Sequence, residues 1–122
     1  MENNQKNVLG TTLMLASTDP ITGFYRNGFC STDQNDGGLH VVAAVMTKDF
    51  LVFSRSQGND LITANEAYGF PGLQVGNIWC LCVLRWKEAL SAGVAPPVIL
   101  EATNAKALEY ISLEILQQFQ CK

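Results

Sequence analysis

Charged residues are scarce in this sequence. They make up 16% of its 122 residues, against roughly 25% in typical soluble domains. With few long charged side chains, part of the surface is apolar, and we expect a surface suited to a homodimer. The net charge is −3 and the eight basic residues are spread along the chain. No basic cluster would neutralise several phosphates, so nucleic acid is not an expected partner.

Long apolar runs are also missing. None approaches the ~20 residues that a membrane span requires, and the opening MENNQKNVLG lacks the charged-then-apolar pattern of a secretory signal. We therefore expect a soluble cytoplasmic protein with no membrane partner, in which thiols stay reduced. The length predicts a single domain over residues 1–122, with residues 1–6 as a frayed tail.

Signatures of common cofactor sites are lacking as well. Neither GxxxxGK[ST] nor GxGxxG after a strand occurs, so phosphate-loop and dinucleotide chemistry have no support. We predict no bound cofactor and no metal site.

The first strong structural signal comes after a turn-rich N-terminal third that extends to about Gly38. The stretch LHVVAAVMT, residues 39–47, is almost continuously apolar and β-branched, which predicts a strand buried on both faces. Thr47 is suited to cap a helix that begins at Lys48, and Gly58 is suited to end it.

The second half alternates strands and helices. Residues 78–84 predict a second strand and a short helix follows with Trp86 on its apolar face. Residues 98–100 predict a third strand, after which Thr103 is a candidate helix cap. The tail fits one long helix or two short helices with Ser112 as the second cap. This pattern predicts an α+β fold with a small mixed sheet and three to four short helices.

The stretch WCLC, residues 79–82, raises the question of metal or redox chemistry. On an extended strand Cys80 and Cys82 lie on one face, ~6.6 Å apart. Two thiolates on one zinc ion would sit only about 3.8 Å apart, so a flat strand holds them too widely for chelation. We interpret both cysteines as small residues that face a core, with a reactive or ligating role for either as the alternative.

Cys30 and His40 are the other candidates for chemistry. Cys30 lies in turn-rich sequence, where we expect it to be exposed. His40 is the only histidine, so any Cys–His or Ser–His relay must run through it. The alternative role for His40 is structural, with a hydrogen bond to a nearby carbonyl or carboxylate.

Polar residues in loops suggest a pocket. Asn59 and Asp60 follow the first predicted helix, where they form either a simple Asx turn or the polar lip of a pocket. Arg85 offers a fork for a carboxylate or phosphate. Together with Asp36 and His40, these side chains are candidates to line a ligand site.

Several runs of the sequence resemble a small bacterial and plant family known as domain of unknown function family twenty-two thirty-seven. These runs are DPITGFYRNGFC, DGGLH, GNDL, FPGL, WCLC, RW and GVAPPV, which lie between residues 19 and 98, and the resemblance covers about residues 7–116. The resemblance implies no assigned activity. The positions that match the family motifs are Cys30, Asp36, Gly38, His40, Asn59, Asp60, Cys80, Cys82 and Arg85. Similar sequences carry further cysteines where Ala16, Phe29 and Ala43 stand here, which argues against a multi-cysteine metal cluster.

Two functional hypotheses follow, with a structural or interaction subunit as a third option. The preferred one is a non-catalytic module that binds a small polar molecule or a peptide in a loop-built pocket, with Cys30, Asp36, His40, Asn59, Asp60, Cys80 and Arg85 as its candidate residues. The alternative is a thiol-dependent enzyme or metal-binding protein that uses Cys30, His40 and Cys80.

Overall fold

The computed structural model describes residues 5–121. Within them the strands are β1 (His40–Val45) and β2 (Ile78–Cys82), and the α-helices are α1 (Lys48–Ser56), α2 (Val83–Ser91) and α3 (Leu113–Gln118). Short 3-10 helices cover Glu66–Tyr68, Leu100–Ala102 and Ala105–Glu109. The small α+β fold predicted from the sequence is therefore confirmed. None of the helices in this part of the chain is long and apolar enough to cross a membrane.

β1 and α1 form as their local sequence predicts. Val41, Val42, Ala43 and Ala44 are all buried, because the strand packs against apolar groups on both faces. The strand covers His40–Val45 rather than the predicted residues 39–47, and the Thr47 hydroxyl accepts a hydrogen bond from the Phe50 N–H at 3.1 Å, which caps α1. The structure thus confirms both the buried strand and the cap.

β2 pairs with β1 in an antiparallel ladder in which Ala43 faces Cys80 and His40 faces Cys82. The strand is two residues shorter than predicted. Val83 already belongs to α2, where it shares the buried face with Trp86 and Ala89. Its apolar side chain fits either a strand or this helical spacing, so the sequence alone misplaced the boundary.

The predicted third strand is reduced to isolated pairings. Val98 makes one antiparallel bridge with Ala44 and one parallel bridge with Gln120, so the mixed character of the sheet is confined to these bridges. Thr103 does not cap a helix, because its hydroxyl donates to the Ile99 carbonyl at 2.8 Å and accepts from Ala43 N–H.

The C-terminal tail contains two short helical segments. Asn104 caps the first of them by accepting a hydrogen bond from the Lys106 N–H at 2.9 Å. Ser112 caps α3 through the Ile115 N–H at 3.3 Å. The alternative with a break before Ser112 is therefore the one that the structure adopts.

The N-terminal third is irregular but held by specific contacts. Residues 1–4 of the predicted frayed tail lie outside the described residues. The rest of that tail is bonded: Gln5 exchanges hydrogen bonds with the Thr32 backbone, and the Lys6 carbonyl accepts from Ala105 N–H at 2.9 Å.

A disulfide between Cys30 and Cys80 joins this third to β2. Cys30 is completely buried, so the prediction that it is exposed was wrong. The expectation of reduced thiols fails at these two positions too. Both errors arise because the partner of Cys30 stands 50 residues away along the chain, beyond the reach of local sequence patterns.

Candidate functional site

A cleft of about 740 Å3 opens at the end of the sheet where β1 begins and β2 ends. Its walls come from the N-terminal segment around Phe24, the loop that follows α1 and the start of α2. Residues that line it include Phe24, Arg26, His40, Asn59, Asp60 and Tyr68, followed by Phe70, Trp79, Cys80, Cys82 and Arg85. A volume of this size suits a small-molecule ligand.

His40 is held in the cleft by a buried carboxylate. Asp36, whose side chain is fully buried, accepts hydrogen bonds from His40 Nδ1 at 2.7 Å, from the His40 backbone N–H at 2.9 Å and from the Thr32 hydroxyl at 3.1 Å. A carboxylate only accepts, so Nδ1 carries the proton. In the neutral ring Nε2 is then the acceptor, and it has no hydrogen-bond partner within residues 5–121.

The loop between these two residues has a shape that few sequences allow. Leu39 has a φ of 50°, a left-handed conformation that costs an L-residue ~1–3 kcal/mol. Its N–H bonds to the Asp36 carbonyl at 3.1 Å and its carbonyl accepts from Val83 N–H at 3.0 Å. At Gly38, a β-carbon would stand 2.6 Å from His40 Cε1. The imidazole therefore lies directly against this glycine.

Two guanidinium groups lie on the walls of the cleft. The Arg26 guanidinium carbon sits 5.0 Å from the centre of the Trp79 ring, and its Nη1 donates to the Gly23 carbonyl at 2.6 Å. Nη1 of Arg85 donates hydrogen bonds to the Gln57 carbonyl and to Oε1 of Glu88, both at 3.2 Å. A guanidinium carries five N–H donors, so both groups retain donors for a ligand.

The loop after α1 is an Asx turn that also borders the cleft. Asp60 Oδ1 accepts from the N–H groups of Ile62 at 2.9 Å and Thr63 at 3.1 Å. The side-chain hydrogen bond with Thr63, followed by these backbone bonds, holds the pKa of Asp60 below its usual range. The two sequence interpretations, turn and pocket lip, describe the same residues.

The extended conformation expected for WCLC is confirmed, because β2 runs from Ile78 to Cys82. The two cysteines have different fates. Cys80 is bonded to Cys30, whereas Cys82 is a free, half-buried thiol that lines the cleft. In residues 5–121 no three His, Cys, Asp or Glu side chains are grouped to hold a metal ion.

Most of the residues selected from the sequence meet at this cleft. His40, Asn59, Asp60, Cys80 and Arg85 line it. Asp36 stands behind His40 and Cys30 stands behind Cys80. The thiol alternative that uses Cys30, His40 and Cys80 finds no free thiol at its two cysteines, because their sulfurs are bonded to each other.

Sequence reasoning missed other residues of the cleft. Phe24, Arg26 and Trp79 form a wall in which Phe24 also stacks on His40 with ring centres 6.0 Å apart. Cys82 was noted only as part of WCLC. Its position opposite His40 follows from the pairing register, which no local signal in the sequence specifies.

Comparison with known proteins gives a family but no activity. No curated protein matches the chain significantly. Residues 6–120 match the family described as "Uncharacterized protein conserved in bacteria (DUF2237)", which is the family that the motifs resemble. Because the match covers nearly the whole sequence, the chain belongs to this family.

Proposed function

We propose that this protein binds a small organic anion with a planar apolar body in the cleft at the end of the sheet. The observation that carries the proposal is the convergence of Arg26, Arg85 and the Asp36-supported His40 on one cleft of about 740 Å3. A pocket of this size with a few convergent polar groups is typical of small-molecule sites.

The charges of the cleft favour an anionic ligand. Arg26 and Arg85 are both positive and both keep unused N–H donors. The carboxylates nearby have partners within the protein: Asp36 accepts from His40, Asp60 accepts from its own turn, and Glu88 pairs with Nη1 of Arg85 at 3.2 Å. Arginine offers paired, charge-assisted hydrogen bonds to carboxylate and phosphate oxygens. A carboxylate or a phosphate monoester is therefore the expected head group.

The rings of the cleft favour a flat apolar portion in the same ligand. Phe24, Tyr68, Phe70 and Trp79 all line the cleft, and Tyr68 is 79% exposed. An exposed aromatic ring at the mouth of a cleft provides apolar area for stacking. A ligand that joins an anionic group to an aromatic ring would use both parts of the site.

Calorimetry with simple probes tests this proposal. We expect phenyl phosphate and benzoate to bind, and benzyl alcohol, which lacks the charge, to bind at least about tenfold more weakly. Arg85→Met should weaken phenyl phosphate binding by about tenfold or more. Lys87→Met removes one positive charge from the same helix outside the cleft and serves as the control.

Two results would contradict the proposal. One is equal binding of phenyl phosphate and benzyl alcohol. The other is an equal effect of Arg85→Met and Lys87→Met, because a general charge effect over the surface would then explain any affinity.

A further inference from the structure

We propose that Cys82 is the nucleophile of an acyl-transfer site in which His40 is the general base and Asp36 orients the imidazole. The substrate class is a small ester or thioester, with hydrolysis as the net reaction. The inference rests on the proposed function for one point only, namely that the same cleft receives the anionic part of the substrate.

The pairing register places the residues that carry the thiol and the imidazole opposite each other. His40 and Cys82 are paired in the antiparallel ladder, beside a register irregularity between His40 and Val42. In a regular ladder such partners project from the same face, with β-carbons ~4.5–5.5 Å apart. Both residues line the cleft, and each is partly accessible to a ligand.

The imidazole has the orientation that a general base needs. Its Nδ1 is bonded at 2.7 Å to the buried Asp36 carboxylate, which leaves Nε2 directed away from that carboxylate and free of described partners. In relays of this kind one ring nitrogen is anchored to a carboxylate while the other exchanges a proton with the nucleophile. Asp36 is therefore a positioning residue.

The backbone next to Cys82 adds donors for a developing negative charge. α2 begins at Val83, and the Cys82 side chain makes no capping hydrogen bond. Val83 N–H is engaged by the Leu39 carbonyl at 3.0 Å. The N–H groups of Leu84 and Arg85 follow in the first turn, where N–H groups have no intrahelical acceptor. These groups are placed to stabilise an oxyanion beside the sulfur.

The disulfide determines which thiol is available. Cys80 also borders the cleft, but its sulfur is bonded to Cys30. Cys82 is thus the free cysteine among the described residues that line the cleft, whereas Cys121 is free and exposed elsewhere. The pair of cysteines in WCLC is thereby divided into a structural sulfur and a reactive one.

The reaction balances without a redox partner. His40 Nε2 takes the thiol proton, and the Cys82 sulfur attacks the carbonyl carbon to form a carbon–sulfur bond. The bond to the alcohol or thiol leaving group breaks, and the leaving group takes the proton from the imidazolium. Water then gives a proton to His40 and attacks the acyl-enzyme carbonyl. The carbon–sulfur bond breaks, Cys82 regains its proton and a carboxylic acid leaves.

The test is acylation of the native protein by p-nitrophenyl acetate, followed by peptide mass spectrometry, with Cys121 as an internal control. We expect an acetyl adduct on Cys82 that forms at least tenfold faster than any adduct on Cys121. His40→Asn should slow the Cys82 adduct by about a hundredfold and leave Cys121 unchanged. Asp36→Asn should slow it too, with a changed pH profile.

Equal acylation rates at Cys82 and Cys121, or a Cys82 rate unaffected by His40→Asn, would overturn the proposal. Cys82→Ala, with its fold checked by circular dichroism, separates this proposal from anion binding. If phenyl phosphate binds the wild type and Cys82→Ala equally but Cys82 is not acylated, only the acyl-transfer proposal fails. If Cys82 acylation depends on His40 but phenyl phosphate does not bind, the anion proposal fails alone.

Discussion

The imidazole of His40 lies so close to Gly38 that a β-carbon on the glycine would stand 2.6 Å from Cε1 and 3.2 Å from Nε2. Real β-carbons do not tolerate such contacts, so a side chain at this position must displace the ring. A β-carbon on the neighbouring Gly37 would meet no atom within 4 Å. A side chain at position 38 would therefore collide with the His40 ring, whereas a side chain at position 37 would not.

This contrast predicts different outcomes for two alanine substitutions. Gly38→Ala should move the imidazole away from Asp36 and lower the rate at which iodoacetamide labels Cys82 by about tenfold, because a misplaced base loses most of its effect. Gly37→Ala should leave the rate unchanged. Peptide mapping measures both, and equal rates in the two variants would show that His40 does not depend on Gly38.

The buried Asp36 should also be important for stability. Asp36→Ala leaves the Thr32 hydroxyl and two N–H groups of His40 without their acceptor. We expect the free energy of unfolding to fall by about 2–4 kcal/mol, measured by urea denaturation. Asp49→Ala, which removes an exposed carboxylate at the start of α1, should cost less than about 1 kcal/mol. Similar losses for the two variants would contradict the assigned network.

The disulfide predicts a response to reductant. Cys30 and Cys80 close a loop with a sequence separation of 50, for which loss of unfolded-state entropy gives a stabilisation of ~4 kcal/mol. Reduction should lower the free energy of unfolding by about 2–4 kcal/mol. The double variant Cys30→Ala, Cys80→Ala should be insensitive to reductant. Thiol titration of the unfolded, unreduced protein should find Cys82 and Cys121 alone, and four thiols would contradict the bond.

The hydrogen-bonded pair Tyr25 and Asp33 predicts that the stability of the fold decreases at alkaline pH. The phenol donates a hydrogen bond to the carboxylate, which raises the pKa of Tyr25 above its usual 10.0 and lowers that of Asp33. The folded chain therefore holds the Tyr25 proton more tightly than the unfolded chain. This contribution to stability is present below pH 10 and is lost as the pH rises through the folded pKa.

Ultraviolet titration tests this pair, since ionised tyrosine absorbs differently from the neutral form. Asp33→Asn should return the Tyr25 transition toward pH 10. Because Tyr25 contacts Phe24 edge-on with ring centres 4.9 Å apart, the bond also steadies one wall of the cleft. A Tyr25 transition that Asp33→Asn leaves in place would argue against the bond.

The sequence predicted those parts of the fold in which neighbouring local patterns indicate the same structure. The apolar run of β1, the Thr47 cap and the following helix reinforce one another, and the structure has all three. The segment from Val98 does not form the predicted third strand. It makes only a few hydrogen bonds with β1, including Ile99 N–H to the Ala43 carbonyl. A 3-10 helix then begins at Leu100. That turn depends on tertiary packing rather than on the residues themselves.

The residues of the site also fall into those that local sequence patterns predict and those that depend on long-range contacts. His40, Asn59, Asp60 and Arg85 were identifiable because each is a chemically versatile side chain at the end of a predicted element, and such ends meet at the edge of a sheet. The partner of Cys30, the contact of Arg26 with Trp79 and the position of Cys82 opposite His40 depend on register and chain crossings. Those relationships connect residues far apart in sequence, so no periodicity encodes them.

The binding of a small anion in the cleft is tested most directly by titrating the isotope-labelled protein with phenyl phosphate and following the titration by nuclear magnetic resonance. We predict saturable shifts in the His40 ring, the Arg85 guanidinium and the Asn59 amide. In Arg85→Met the His40 and Asn59 shifts should require about tenfold more phenyl phosphate, whereas Lys87→Met should leave the titration unchanged. Shifts confined to residues outside the cleft, or none at all, would contradict the claim that this cleft binds a small anion.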